Sequence, residues 1–135
     1  EDFIKAYHYS FPSNVIFHGF MNVASEEFIC IVSACNFLIY PSCTEGMPGS
    51  VITSMYYGII PIVSRWAAFD EIDEMGYLLA GLDEESIQLA IDKVQKLSDE
   101  EVEDLSLKCV KFAQDTYNLK MFKEEFKQYI QKYGN

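Results

Sequence analysis

The chain has 135 residues, of which 50% are hydrophobic and 23% charged, and its net charge is −11. This length and composition are typical of one folded domain, residues 1–135, and exclude a disordered chain. The acidic balance and the single arginine, Arg65, disfavour both nucleic-acid binding and attraction to anionic membranes.

The four cysteines show no CxxC spacing, so the sequence predicts thiols rather than a structural zinc site. Cys30, Cys35 and Cys109 stand in apolar patterns, which predicts that these three are buried. Thiols of this kind indicate a reducing compartment, and we expect the chain to work in the cytoplasm.

Strands and helices alternate along the first two thirds of the chain. The patterns predict a short helix over residues 2–9, a strand over 14–19 (NVIFHG) and a helix over 24–35 with Ser25 as N-cap. A second strand over 36–42 reads as buried on both faces. A loop over 43–49 then leads to a helix over 50–57, ended by Gly58, and a strand over 59–64. This order predicts an α/β fold with a doubly wound, Rossmann-like parallel sheet.

The last third is predicted to be mainly helical. An acidic irregular segment over residues 66–76 leads to a short strand over 77–80, and helices follow over 83–97, 98–115 and 119–133. Ser98 and Glu101 have the spacing of a capping box at the start of the second of these helices. An apolar stripe follows the last helix: Phe122, Phe126, Tyr129, Ile130 and Tyr133.

Ligands of such sheets bind at the carboxyl ends of the strands, where the loops over residues 19–22, 43–50 and 65–72 are expected to open together. In the central loop, Gly46, Pro48 and Gly49 permit close approach of the backbone. The free N–H groups of residues 50–52 form an anion site. Glu45 can accept hydrogen bonds from two sugar hydroxyls, which favours a sugar phosphate. A solvated turn residue is the alternative for Glu45, and the spacing leaves both open.

Four pieces in this order carry a family resemblance: VIFHG at residues 15–19, IYPS at 39–42, EGMPG at 45–49, and Gly58 followed by Pro61 and Val63. From about residue 14 onwards the chain resembles the C-terminal, donor-binding domain of the family 4 (group 1) retaining glycosyltransferases, which have the GT-B fold. The resemblance implies a hexosyltransferase-type enzyme that moves a sugar, with retention, from a nucleotide diphosphate sugar to a glycan or lipid-linked acceptor. No metal or cofactor is implied.

The resemblance also implies a role for each matching residue. Glu45 is the catalytic-site acid that contacts the donor sugar, and Thr53 stands where the family has a second glutamate that binds the ribose. Asp70 or Glu71 is a candidate to compensate for that change. The other implied contacts are Gly46, Met47, Gly49, Ser50 and Val51 to the sugar and phosphates and Gly19, Phe20 and Met21 to the nucleotide base, with His18, Arg65 and Glu71 as further candidates.

The resemblance further implies polysaccharide biosynthesis, with the full enzyme peripherally associated at the inner face of the membrane. The acceptor-binding N-terminal domain of the family is missing, so we expect a fragment that binds donor weakly and does not turn over alone. Thr53 favours the alternative of a degenerate, non-catalytic GT-B-like domain used for binding or assembly. The aromatic stripe of the last helix is either unpartnered or, as the default expectation, buried against the sheet.

Overall fold

The structure is a computed structural model that describes residues 12–67, 69 and 72–134. The chain divides between residues 31 and 32 into two compact units. The helix predicted for residues 2–9 lies outside the described residues.

The N-terminal unit contains most of helix α1, Glu26–Val32. Ser25 caps this helix, since its hydroxyl oxygen accepts a hydrogen bond from the N–H of Phe28 at 3.2 Å. The strand predicted over residues 14–19 is wrong: this segment has no regular structure, and Ile16 is 75% exposed. Its β-branched and aromatic residues suit a strand, but such a preference takes effect only when a neighbouring strand pairs with the backbone.

The C-terminal unit is built on a parallel sheet with the order β1 (Phe37–Tyr40), β2 (Ile60–Ser64) and β3 (Tyr77–Leu79). Phe37 pairs with Ile60 at one end of the first ladder, and Ser64 pairs with Leu79 at the end of the second. The central strand β2 is buried throughout, as predicted. The expectation of burial on both faces is wrong for β1, because it lies at an edge of the described sheet and Ile39 remains 37% exposed.

Helices cover both faces of the sheet, which confirms the predicted α/β class. These are α2 (Gly49–Tyr56), α3 (Glu84–Val94), α4 (Asp99–Thr116) and α5 (Leu119–Tyr133), with 3₁₀ turns at Arg65–Ala67 and Ile72–Glu74. The capping box predicted at Ser98 and Glu101 is present in both directions. Among the described residues, no helix has the length and apolar character needed to cross a bilayer.

The larger core lies between the sheet and helices α2 and α4, and a smaller one lies beneath α3. Met55 from α2, Val63 from β2 and Cys109 from α4 meet in the larger core, where all three are fully buried. Gly58 ends α2 with a φ of 77°, the left-handed conformation that turns the chain directly into β2. This short connection fixes where α2 ends.

Two further burial predictions are wrong. Cys30 and Cys35 are exposed, because they lie on or just after the short helix α1, whose sole buried residue is Val32. The aromatic stripe of α5 is also exposed, since no residue of this helix is buried. Neither core contains a residue of α5 among those that the structure describes.

Candidate functional site

The loops after β1 and β2 open on the same edge of the sheet, as expected for parallel strands. Two hydrogen bonds join them. The hydroxyl of Ser64, which is 1% exposed, donates to the carbonyl oxygen of Ser42. The backbone N–H of Glu45 donates to the carbonyl oxygen of Trp66 at 3.1 Å. The third loop of the prediction, residues 19–22, belongs to the N-terminal unit.

The side chain of Glu45 is exposed at this edge of the sheet, and a hydrogen bond from Tyr40 positions it. The hydroxyl of Tyr40, the last residue of β1, donates a hydrogen bond to Glu45 Oε1 at 3.2 Å. This hydrogen bond orients the carboxylate through one of its oxygens. The other oxygen can accept a hydrogen bond from a ligand hydroxyl. Held at both backbone and side chain, Glu45 is a positioned acid.

The start of α2 forms the second part of the site. The N–H groups of Val51 and Ile52 both donate to the carbonyl oxygen of Pro48, at 3.1 and 3.4 Å. The N–H groups of Gly49 and Ser50 have no acceptor among the described residues. The helix thus begins one residue earlier than predicted, and its open amides are at residues 49 and 50 rather than 50–52.

The surface above these amides is open. A Cβ placed on Gly46 or Gly49 meets no atom within 4 Å, and Met47 is 49% exposed. Ser50 is not the N-cap, because Pro48 holds that position without a side-chain cap bond. The arrangement can accept an anion at the helix end, where the helix dipole adds a partial positive charge.

Thr53 lies one helical turn after Gly49, so its side chain is on the same side of α2 as the open amides. It is half-buried, and its hydroxyl makes no hydrogen bond with any described residue. A ribose hydroxyl could bond to it, although a threonine cannot bind two hydroxyls as a carboxylate does.

Arg65 and Trp66 open the turn that follows β2, and both are exposed. The guanidinium carbon of Arg65 lies 5.8 Å from the ring centroid of Trp66. Because the backbone of Trp66 bonds to Glu45, this pair borders the same edge as the acid. Asp70 and Glu71, the predicted substitutes for the missing glutamate, lie outside the described residues.

The predicted base-contacting residues are in the N-terminal unit. Gly19 has a φ of 70°, which supports a tight turn, and Phe20 is fully exposed, while His18 is exposed beside them. Met21 is half-buried. Contact between these residues and a nucleotide base stays a prediction.

Sequence reasoning missed the residues that hold the loops in place: Tyr40, Ser64 and the backbone of Trp66. For Tyr40 and Ser64, the sequence does contain a signal of this role. Each is a hydroxyl-bearing residue that ends an otherwise apolar strand, and a buried or half-buried hydroxyl needs a hydrogen-bond partner. The contact with Trp66 could not be found this way, because it joins backbone atoms.

The family model described as "Glycosyl transferases group 1" matches residues 2–99. This match includes the sheet, the loop of Glu45, helix α2 with Thr53, and the turn of Arg65. A search of curated proteins finds no match.

Proposed function

Because the chain belongs to the group 1 glycosyltransferases, we propose that it binds the donor in the transfer of a sugar from a nucleotide diphosphate sugar to a glycan or lipid-linked acceptor. Membership of the family supports glycosyl transfer in general, with a nucleotide-sugar donor and an acceptor. The finer parts of the proposal are the residues that bind each portion of the donor, and retention of configuration at the sugar.

One observation carries the proposal: a positioned carboxylate and two open amides lie on the same loop. Glu45 is held by Tyr40 and by the Trp66 carbonyl. Four residues further along, Gly49 and Ser50 present N–H groups at the end of a helix. A sugar diphosphate needs both features next to each other, because its hydroxyls seek an acceptor and its phosphates seek donors.

We assign the diphosphate to the amides of Gly49 and Ser50 and the sugar hydroxyls to the carboxylate of Glu45. As the bond between sugar and diphosphate breaks, negative charge grows on the leaving phosphate oxygen. The N–H groups and the dipole of α2 stabilise that charge without any movement, since they are fixed by the packing of Val51 and Met55 in the core. Arg65, exposed at the neighbouring turn, supplies a full positive charge to the same diphosphate.

Calorimetric titration of the chain with UDP-, GDP- and ADP-glucose at millimolar concentrations tests this proposal. We expect one nucleotide sugar to bind, and we expect Glu45→Gln to weaken its binding by about tenfold, because a carboxylate bonds to hydroxyls more strongly than an amide does. The matched control is Glu103→Gln, an exposed acid on α4. Absence of binding by every one of these nucleotide sugars would contradict the proposal.

Thr53→Glu extends the same experiment to the ribose. If the open side of α2 faces the nucleotide, a carboxylate at position 53 gains two hydrogen bonds to the ribose hydroxyls and raises the affinity for the nucleoside diphosphate severalfold. Thr53→Gln is the control for side-chain size. An unchanged or weaker affinity with glutamate would place the ribose elsewhere while leaving the assignment of Glu45 intact.

A further inference from the structure

The loop between β1 and α2, which carries Glu45, has little packing to hold it. Residues 43–47 are all exposed, and Pro48 is the first buried residue after β1. Helix α2 is different, because Val51 and Met55 anchor it in the larger core. A segment without buried side chains keeps one conformation when hydrogen bonds offset the entropy that its ordering costs. The position of Glu45 therefore depends on the hydrogen bonds of its loop.

The backbone pairing between β1 and β2 ends before this loop begins, at Tyr40 and Val63. One residue further along β2, the hydroxyl of Ser64 donates a hydrogen bond to the carbonyl oxygen of Ser42. Ser42 lies two residues past the end of β1 and directly before the exposed loop. A side-chain hydroxyl thus continues the connection between the two segments past their last backbone pair.

The surroundings of Ser64 show what its hydroxyl contributes. Ser64 is the one polar residue of β2, which is buried along its whole length, and it is 1% exposed. Burying a hydroxyl costs free energy unless it finds a hydrogen-bond partner, whereas an apolar side chain at this end of the strand would carry no such cost. The contribution of the hydroxyl at this position is therefore its bond to Ser42.

A second hydrogen bond joins the same two segments three residues further along the loop. The N–H of Glu45 donates to the carbonyl oxygen of Trp66 at 3.1 Å. The segment that follows β1 accepts in the first bond and donates in the second. Because Ser42 and Glu45 are close in the chain, each bond shortens the stretch that the other must order, so each stabilises the other.

We propose that Ser64 is a positioning residue of the donor site, which holds the carboxylate of Glu45 at a fixed place beside the turn of Arg65. The identity of the ligand in this inference rests on the proposed function. In that assignment the sugar binds to the loop, while the diphosphate binds to α2 and Arg65, so one donor spans two segments. Ser64 joins these segments and sets the distance between the groups that bind the sugar and those that bind the diphosphate.

Loss of the Ser64 hydroxyl should affect the two parts of the donor unequally. Glu45 moves with its loop once the bond to Ser42 is gone, and its contact with the sugar weakens. The amides of Gly49 and Ser50 stay in place, because the core anchors α2 independently of the loop. We therefore expect the change in affinity to come from the sugar portion of the donor alone.

Hydrogen exchange measured by NMR without any ligand tests whether Ser64 holds the loop. Ser64→Val removes the hydroxyl, whereas Ser64→Thr has the same shape as valine and keeps it. We expect the Glu45 amide to exchange about 3- to 10-fold faster in the valine variant, which is the usual effect of one hydrogen bond, and at the wild-type rate in the threonine variant. Ser64→Ala adds no atoms to the core and should match the valine variant.

Ser54→Ala is the matched control for these variants. It also removes a buried hydroxyl that donates to a backbone carbonyl, that of Ser50 at 2.9 Å, but donor and acceptor both belong to α2. The substitution should lower stability without changing the exchange of the Glu45 amide. A faster exchange in the Ser64 variants alone then comes from the connection between the loops and not from a general loss of stability.

Calorimetry with a nucleotide sugar and with its nucleoside diphosphate tests the effect on the donor. We expect Ser64→Val to bind the nucleotide sugar about 2- to 10-fold more weakly, with an unchanged affinity for the nucleoside diphosphate, and Ser64→Thr to restore the wild-type affinity.

Two results would overturn the positioning role. One is an exchange rate of the Glu45 amide that is the same in the wild type, Ser64→Ala and Ser64→Val, or that rises equally in Ser54→Ala. The other is an equal loss of affinity for both ligands in Ser64→Val. A wild-type chain that binds no nucleotide sugar would contradict the proposed function instead, and the exchange rates would still decide whether Ser64 holds the loop.

Discussion

Two hydrogen bonds hold Glu45, and they act on different parts of the residue. The bond from its N–H to the Trp66 carbonyl fixes the backbone of the loop against the neighbouring turn. The bond from the Tyr40 hydroxyl fixes the rotamer of the carboxylate. Because Tyr40 also packs against the larger core, its hydroxyl is held with little freedom. A side chain set in this way loses less conformational entropy when a ligand binds to it.

The substitution Tyr40→Phe should separate the effect of the hydroxyl, which positions Glu45, from the effect of the ring, which packs on the core. The ring and its core contacts remain, while the hydrogen bond to Glu45 is lost. We expect the affinity for the nucleotide sugar to fall about 2- to 10-fold, as is usual for one hydrogen bond, with no change for the nucleoside diphosphate alone. Calorimetry with both ligands gives the two values. An equal loss for both ligands would indicate that the substitution disturbs the whole loop.

At the scale of elements, the turn from α2 to β2 depends on a single residue. Gly58 has a φ of 77°, and a Cβ there would collide with the hydroxyl oxygen of Ser106 on α4. This close approach lets α2 and α4 pack on the same face of the sheet. The orientation of α2, and with it the direction of its open amides, therefore depends on the absence of a side chain at residue 58.

Gly58→Ala should lower the free energy of unfolding by about 1–3 kcal/mol, from the left-handed backbone and the contact with Ser106 together. Denaturant unfolding followed by circular dichroism measures the change. Gly46→Ala is the control, because a Cβ there meets nothing within 4 Å, and its effect should stay within about 0.5 kcal/mol. Equal effects of the two substitutions would contradict this account of the turn.

Helix α3 depends on the cap at Asp83, whose carboxylate accepts the backbone N–H of Ser86 at 2.8 Å and its hydroxyl at 3.1 Å. The backbone hydrogen bond is the main reason why the pKa of Asp83 is lowered from 3.8. A lowered pKa in the folded state means that the charged cap stabilises the fold above about pH 4. That contribution is lost as the pH falls through the folded-state pKa.

Asp83→Ala should therefore destabilise the protein at neutral pH, and the gap to the wild type should close on acidification below about pH 4. Thermal unfolding measured across the acid range shows this convergence. Asp83→Asn is the matched control: an amide caps a helix about as well as a carboxylate, and it does not titrate. A gap between wild type and the alanine variant that persists unchanged into strong acid would rule out the charged cap as its source.

For the whole molecule, the sequence was most informative where one pattern decided the structure. The apolar run at residues 59–64 predicted β2, which is buried throughout, and the predicted helix 119–133 has the bounds of α5. The strand predicted over residues 14–19 was wrong, because strand propensity does not reveal whether a pairing strand exists. The predicted burial of the α5 stripe against the sheet was also wrong. An amphipathic pattern shows that a helix has an apolar face, but it does not show what covers that face.

The sequence also predicts some parts of the candidate site and not others. Glu45 and the start of α2 were predictable, because a strand, a glycine-rich loop and a helix in this order place them at the sheet edge. The bonds from Tyr40 to Glu45 and from Glu45 to Trp66 were not predictable. They depend on how the loops after β1 and β2 settle against each other once the strands have paired.

The reactivity of the Cys109 thiol indicates whether the core of the C-terminal unit is intact. Its thiol is fully buried in the larger core and donates a hydrogen bond to the carbonyl oxygen of Met75 at 3.1 Å. Burial raises the pKa of the Cys109 thiol to about 12. Since the thiolate is the form that reacts, this cysteine is protected both by exclusion of the reagent and by its protonation.

Ellman's reagent at about pH 8 should therefore distinguish Cys109 from the three exposed thiols, Cys30, Cys35 and Cys43. We expect three equivalents to react rapidly and the fourth to react only as the larger core opens. All four should react at once in denaturant, and Cys109→Ala should remove the slow phase without changing the fast one. Four rapid equivalents in the native protein would show that the packing of α4 on the sheet is not stable in solution.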